Sequence, residues 1–134
     1  MKLLFAVLSL SAMLVSCSKQ AVVVPQKASG QLFYKDGSIA VADLQAVQTD
    51  ASTIKVDFAT QYANNVAKIE VMSGATQSLL CTIGEINLPG NIDKLTNFTV
   101  TDTNLKGKTM YYMLRYTSNS GDWGYTPLVS VTLK

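Results

Sequence analysis

The chain has 134 residues, room for one domain with its own core but not for two. Charged residues make up 15% of it against a usual ~25%, the net charge is +2, and Lys and Arg form no run, which argues against a nucleic-acid partner. Histidine is absent, so the commonest general base and the commonest metal ligand are both missing.

Met1-Lys2 gives a short positive start. Leu3 to Val15 is apolar except for Ser9 and Ser11. At about 13 residues this run is too short to cross a ~30 Å hydrocarbon core comfortably, but it has the length of a secretory signal's central region. It ends in Leu14-Val15-Ser16-Cys17. That ending resembles the bacterial lipobox, in which a branched residue and a small residue precede a Cys. The resemblance implies that Leu14 and Ser16 are the recognition positions and that Cys17 is acylated and becomes the new N-terminus. An ordinary signal peptide with Cys17 merely near the cut, or an uncleaved anchor, are the plainer readings. Ser18 in place of an Asp resembles cargo sorted to the outer membrane of a Gram-negative envelope.

Residues 18–30 read as a tether, polar except for Ala21-Val22-Val23-Val24, which Pro25 limits as a strand. Gln31 to Val41 then reads as strand, turn and strand, with Asp36-Gly37 between β-formers as the hairpin signal. Thr53 to Thr60 alternates, with Ile54, Val56 and Phe58 on one face and Lys55 and Asp57 on the other. Val66 to Met72 alternates again, Ala67, Ile69 and Val71 inward and Lys68 and Glu70 outward, and Ser73-Gly74 closes it. Thr76 to Ile86 reads as a further strand, Leu88-Pro89-Gly90-Asn91 as a turn and Asn97 to Thr101 as a short strand. Met110 to Tyr116 and Leu128 to Leu133 flank the polar Ser118 to Asp122 loop, a closing hairpin.

The expectation is therefore an all-β, immunoglobulin-like β-sandwich of about seven strands. The stretch 41–134 resembles a fibronectin type III domain, and the closing hairpin carries most of that resemblance: Leu105, a short Gly turn, a Tyr-led strand, an Asn/Gly loop and an alternating Val strand. The division expected is 1–16 signal, 17–40 acylated Cys, tether and an extra hairpin or extended lead-in, and 41–134 sandwich. Phe58 stands nearest to the family's core Trp. Counting from Leu105 by the family's spacing turns Tyr111 inward. Alternation instead favours Met110, Tyr112, Leu114 and Tyr116, and we expect Tyr112 to face the core, since a one-residue slip turns over the whole face.

Chemistry-bearing residues are few. Cys81 sits in an apolar Leu79-Leu80-Cys81 run and reads as a small buried hydrophobe, with no His to activate it. The acids are scattered and match no calcium loop; Asp102 and Asp122 read as solvated turn residues. No catalytic residue, metal site or cofactor is expected. The one candidate ligand-binding loop comprises Asn119, Asp122, Trp123 and Tyr125, where glycines flank the only Trp. Trp and Tyr serve as binding anchors and sugar platforms, although Trp123 folded back as an end-cap of the sandwich is the plainer alternative. The reading expected is a non-enzymatic, lipid-anchored binding, adhesion or assembly module. Its partners would be the membrane, through the N-terminal lipid, and a protein or glycan of unknown identity. The alternative is a glycan-binding accessory lipoprotein.

Overall fold

The computed structural model describes residues 32–134. Leu14, Ser16, Cys17, the 18–30 tether and Gln31 of the expected first strand lie outside the described residues. The strands in chain order are β1 (Leu32–Lys35), β2 (Ile39–Asp50), β3 (Thr53–Ala63), β4 (Val66–Thr76), β5 (Leu79–Asn87), β6 (Thr96–Asp102), β7 (Thr109–Ser118), β8 (Trp123–Tyr125) and β9 (Val129–Thr132). They form two antiparallel sheets. One has the order β1-β2-β3-β6; the other has β5-β4-β7-β8, with β9 also paired to β7. The expected all-β sandwich is the observed architecture.

The alternation that marked β3 places Ile54, Val56 and Phe58 in the core between the sheets. Phe58 stacks on Phe98, its cross-strand partner in β6, with ring centroids 5.2 Å apart. From the second sheet come Ile69 and Val71 of β4, Met110, Tyr112, Leu114 and Tyr116 of β7, and Val129 of β9. Tyr112 is thus the inward residue. Its hydroxyl donates to Oδ2 of Asp102 at 2.7 Å, in a fully buried contact at the β6–β7 corner. Asp102, expected to be a solvated turn acid, is 2% exposed. It also accepts the Asn104 N–H at 3.0 Å, so two donors satisfy its carboxylate.

The Asp36-Gly37 hairpin forms as expected, and its first strand joins the four-stranded sheet. The Asp36 carboxylate accepts the N–H groups of Ser38 and Ile39 at 2.7 and 2.9 Å, the local bonding for which Asp is favoured in turns. The same residue gathers three tyrosines. Tyr34 and Tyr116 donate to its carboxylate and Tyr62 donates to its backbone carbonyl. Tyr116 belongs to the opposite sheet, so this cluster ties the two sheets together at one end.

Two further expectations change. β4 does not close at Ser73-Gly74: Gly74 stays in register with Tyr111, the strand runs to Thr76, and β5 starts at Leu79. A bulge between Val66 and Lys68 turns Val66 into the core, leaving Ala67 only half-buried.

Candidate functional site

The loop that joins β7 to β8 is a tight, internally bonded turn. Ser118 N–H donates to the Asp122 carbonyl at 2.8 Å, and Gly121 N–H donates to the Ser118 carbonyl at 3.0 Å. The Ser118 hydroxyl accepts the Asp122 N–H at 3.0 Å, and Ser120 donates to the Asp122 carboxylate at 3.2 Å. Gly121 has a φ of +91°, a conformation open to glycine with little strain. Asn119 is exposed, but its side-chain amide donates to Asn65 Oδ1 at 3.0 Å and its N–H to the Asn65 carbonyl. The turn is therefore tied to the β3–β4 turn beside it. Asn119 and Asp122 hold the loop in shape, and Asp122 is exposed as the sequence suggested.

Trp123 opens β8 and is 54% exposed, so it does not fold back as an end-cap of the core. Residues two apart on a strand share a face, which puts Trp123 and Tyr125 on the same side of β8. Tyr125 is half-buried against a small apolar cluster of Met72, Leu80, Met113 and Leu128. Gly124 between them faces the sandwich interior opposite Tyr116. A side chain there would overlap the Tyr116 phenol, so this glycine serves close packing and not loop freedom. The hydroxyl of Tyr62, at the end of β3, is committed to the Asp36 carbonyl.

Sequence reasoning missed the charged residues beneath the Trp. The Arg115 guanidinium lies over the Trp123 ring, 5.0 Å from its centroid. Its Nε donates to Glu70 Oε2 at 2.5 Å, and Nη2 pairs with the same carboxylate oxygen. Arg115 is 2% exposed and Glu70 4%. Thr82 adds a hydrogen bond to the other Glu70 oxygen at 3.3 Å, and Lys68 lies 3.9 Å from it. The signal was present in the register: Glu70 and Arg115 are cross-strand neighbours on β4 and β7, one acid and one base on the same outward face. Trp123 is thus an exposed ring resting on a cation that is itself held by a buried carboxylate.

Beyond the end of β8, Thr126 takes over part of the ladder. Its N–H donates to the Leu114 carbonyl at 2.9 Å and its Oγ1 accepts the Leu114 N–H at 3.0 Å. Pro127, which has no N–H to offer, follows, and the ladder with β7 resumes in β9. Cys81 is half-buried in β5, not fully buried as its reading as a small buried hydrophobe expected. Among the described residues, no three His, Cys, Asp or Glu side chains converge on a metal-sized site. Compared with known proteins, the chain matches no family model, no curated protein and no solved structure.

Proposed function

We propose that this protein is a non-enzymatic, lipid-anchored binding module of a Gram-negative envelope, with a fibronectin type III-like sandwich that presents the β7–β8 loop to a protein or glycan. The single observation that carries the binding site is the exposure of Trp123 on a rigid support: a braced turn on one side and the Arg115–Glu70 pair below. Binding residues on a loop held by a rigid sheet meet a ligand with little ordering cost.

The strand order supports the finer fold reading. β2, β3 and β6 correspond to the A, B and E strands of one immunoglobulin-like sheet, and β4, β7 and the β8/β9 pair to C, F and G of the other. The Tyr112–Asp102 bond at the β6–β7 corner stands where such domains carry their tyrosine corner. Anchoring rests on the Leu14 to Cys17 sequence.

The site is tested by glycan-array and envelope pull-down binding of the wild-type protein and Trp123→Ala. Loss of binding with an unchanged unfolding midpoint is the expected result, and undiminished binding by the variant refutes the site. Trp123-dependent binding to glycans with no protein captured would favour the accessory-lipoprotein reading over the protein-binding one. Anchoring is tested by fatty-acid labelling: Cys17→Ala is expected to lose the label and membrane retention, since acyl chains hold a protein firmly only when several act together. The chain has two cysteines, so thioether acylation of Cys17 and a Cys17–Cys81 disulfide exclude each other. Intact mass before and after reduction distinguishes them: a two-hydrogen gain with no lipid adduct would refute acylation.

A further inference from the structure

We propose that the outer edge of β6 is a docking surface for a second copy of this chain, which pairs its own β6 there, antiparallel and about a two-fold axis. β6 ends the order β1-β2-β3-β6, and among the described residues no strand pairs with its other edge. Every second residue of such an edge turns its N–H and C=O away from the sheet, which makes a template for one more strand.

Sheet edges are ordinarily guarded by shortness, bulges, proline or charge. The other edges here carry such guards. β1 and β9 have four residues each and β8 has three. β5 has nine, but its register with β4 shifts twice and Glu85 stands exposed on it. β6 has seven residues and none of these guards. It contains no proline, lysine or arginine, and its pairing with β3 runs from Ile54↔Asp102 to Thr60↔Thr96 without a shift. Its one charged residue, Asp102, is buried and bonded to Tyr112. Its exposed side chains, Asn97, Thr99 and Thr101, are neutral.

Apolar side chains left partly open lie along the same edge. Phe98 and Val100 pack against the core but stay half-buried. Leu95, directly ahead of β6, is 63% exposed, the most exposed of the large apolar side chains described. Self-pairing uses both features. A two-fold axis through Thr99 sets Thr99 opposite its own copy, Asn97 opposite Thr101 and Phe98 opposite Val100. Thr pairs and an aromatic residue facing a β-branched one are favourable cross-strand neighbours, and no like charges meet. Leu95 comes over residues 103–105 of the second copy, where Leu105 is half-buried at the margin of the core. The four-stranded sheets of the two copies then join into one. The pairing does not rest on the Trp123 reading, but it sets a geometry for it. The β7–β8 loop is tied to the β3–β4 turn, at the Thr96 end of β6, so the two copies hold Trp123 at opposite ends of the joined sheet.

Cysteine cross-linking in the full chain tests the pairing. At the axis Thr99 meets its own copy within disulfide reach, whereas Asn97 is displaced from its own copy by four residues, about 13 Å along the strand. Thr99→Cys is expected to form a reducible dimer about tenfold faster than Asn97→Cys alone, and Asn97→Cys mixed with Thr101→Cys is expected to cross-link about as fast as Thr99→Cys. The parent chain, with its own Cys17 and Cys81, supplies the background to subtract. Cross-linking of Thr99→Cys no faster than that of Asn97→Cys would overturn the proposal. Sedimentation velocity in density-matched detergent is an independent reading. The parent is expected to run as a dimer, and Thr99→Lys, which sets two like charges on the axis, as a monomer with its unfolding midpoint kept. A monomeric parent would overturn the pairing, and so would a Thr99→Lys chain that stays dimeric, since its contact would then lie elsewhere.

Discussion

β3 and β4 carry nearly the same pattern on their outward faces, Lys55-x-Asp57 in one and Lys68-x-Glu70 in the other, and the two faces have opposite fates. On β3, Lys55 is exposed and pairs with Asp57 at 3.2 Å in contact with solvent. On β4, Glu70 is buried, bonded to a buried Arg115 and flanked by a fully buried Met72. Alternation separates the two faces of a strand, but it does not say whether the face turned away from the core is wet. That depends on what lies opposite: β3's outward face meets Thr99, which donates to Asp57 at 2.7 Å, whereas β4's meets Arg115 and Met113. A surface ion pair contributes little because water screens it, while a buried one leaves a costly unpaired charge when half of it is removed.

The largest expected effects break this comparison directly. Phe58→Ala empties a stacked core position and should cost roughly 3–5 kcal/mol. Glu70→Ala should cost a similar amount, about 3–5 kcal/mol, because it strands a buried guanidinium. Lys55→Ala and Asp57→Ala should each fall within about 1 kcal/mol. Urea unfolding of the four variants decides whether the two outward faces differ: a Glu70→Ala cost as small as that of Asp57→Ala would place the Glu70 face in water. Glu70→Leu combined with Arg115→Met sharpens the point, since replacing both partners by apolar groups of similar volume should recover most of the loss.

The sandwich, its hairpins and the inward Tyr112 were legible because each rests on a period of two or on a turn residue with a local cause, as at Asp36-Gly37. Met110, Tyr112, Leu114 and Tyr116 all fall in the core as alternation required. The boundary of β4 was not legible, because Gly74 looks like punctuation while its neighbours keep pairing on both sides. Asp102 read as a solvated loop acid because its partner, Tyr112, is ten residues away and its burial is a tertiary fact. Trp123 was found in the sequence by its rarity and its flanking residues, but the cation beneath it follows only from the β7–β8 register.

A moderate effect concerns high pH. Burial first, and then the bond to Asp36, push the Tyr34 hydroxyl up to about 12; burial and the bond to Asp102 raise Tyr112 further. A phenol whose folded-state pKa lies above its unfolded value of about 10 contributes stability that is complete below pH ~10 and is lost as pH rises through the folded value. Stability should therefore decline from about pH 10 upward, and Tyr34→Phe should flatten the part of that decline between about pH 10 and 12. Unfolding midpoints at a series of alkaline pH values measure it; identical slopes in the variant and the parent would exclude a Tyr34 contribution.

The smallest expected effect falls on the residue with the largest proposed role. Trp123 is more than half exposed, so its removal leaves no core cavity, and the contacts it gives up include the one with the Arg115 guanidinium. A cation over an exposed ring contributes about 0.5–1 kcal/mol, and Arg115 keeps its carboxylate partner when the ring is gone. Trp123→Ala should accordingly lower stability by no more than about 1 kcal/mol, well below Glu70→Ala on the same face. The two substitutions separate support from contact: Glu70→Ala disturbs the cation under the ring and should damage both stability and binding, while Trp123→Ala should damage binding alone. If Trp123→Ala instead costs several kcal/mol, the ring is part of the packing of that face, and any loss of binding by the variant is a consequence of unfolding and not evidence for a ligand site.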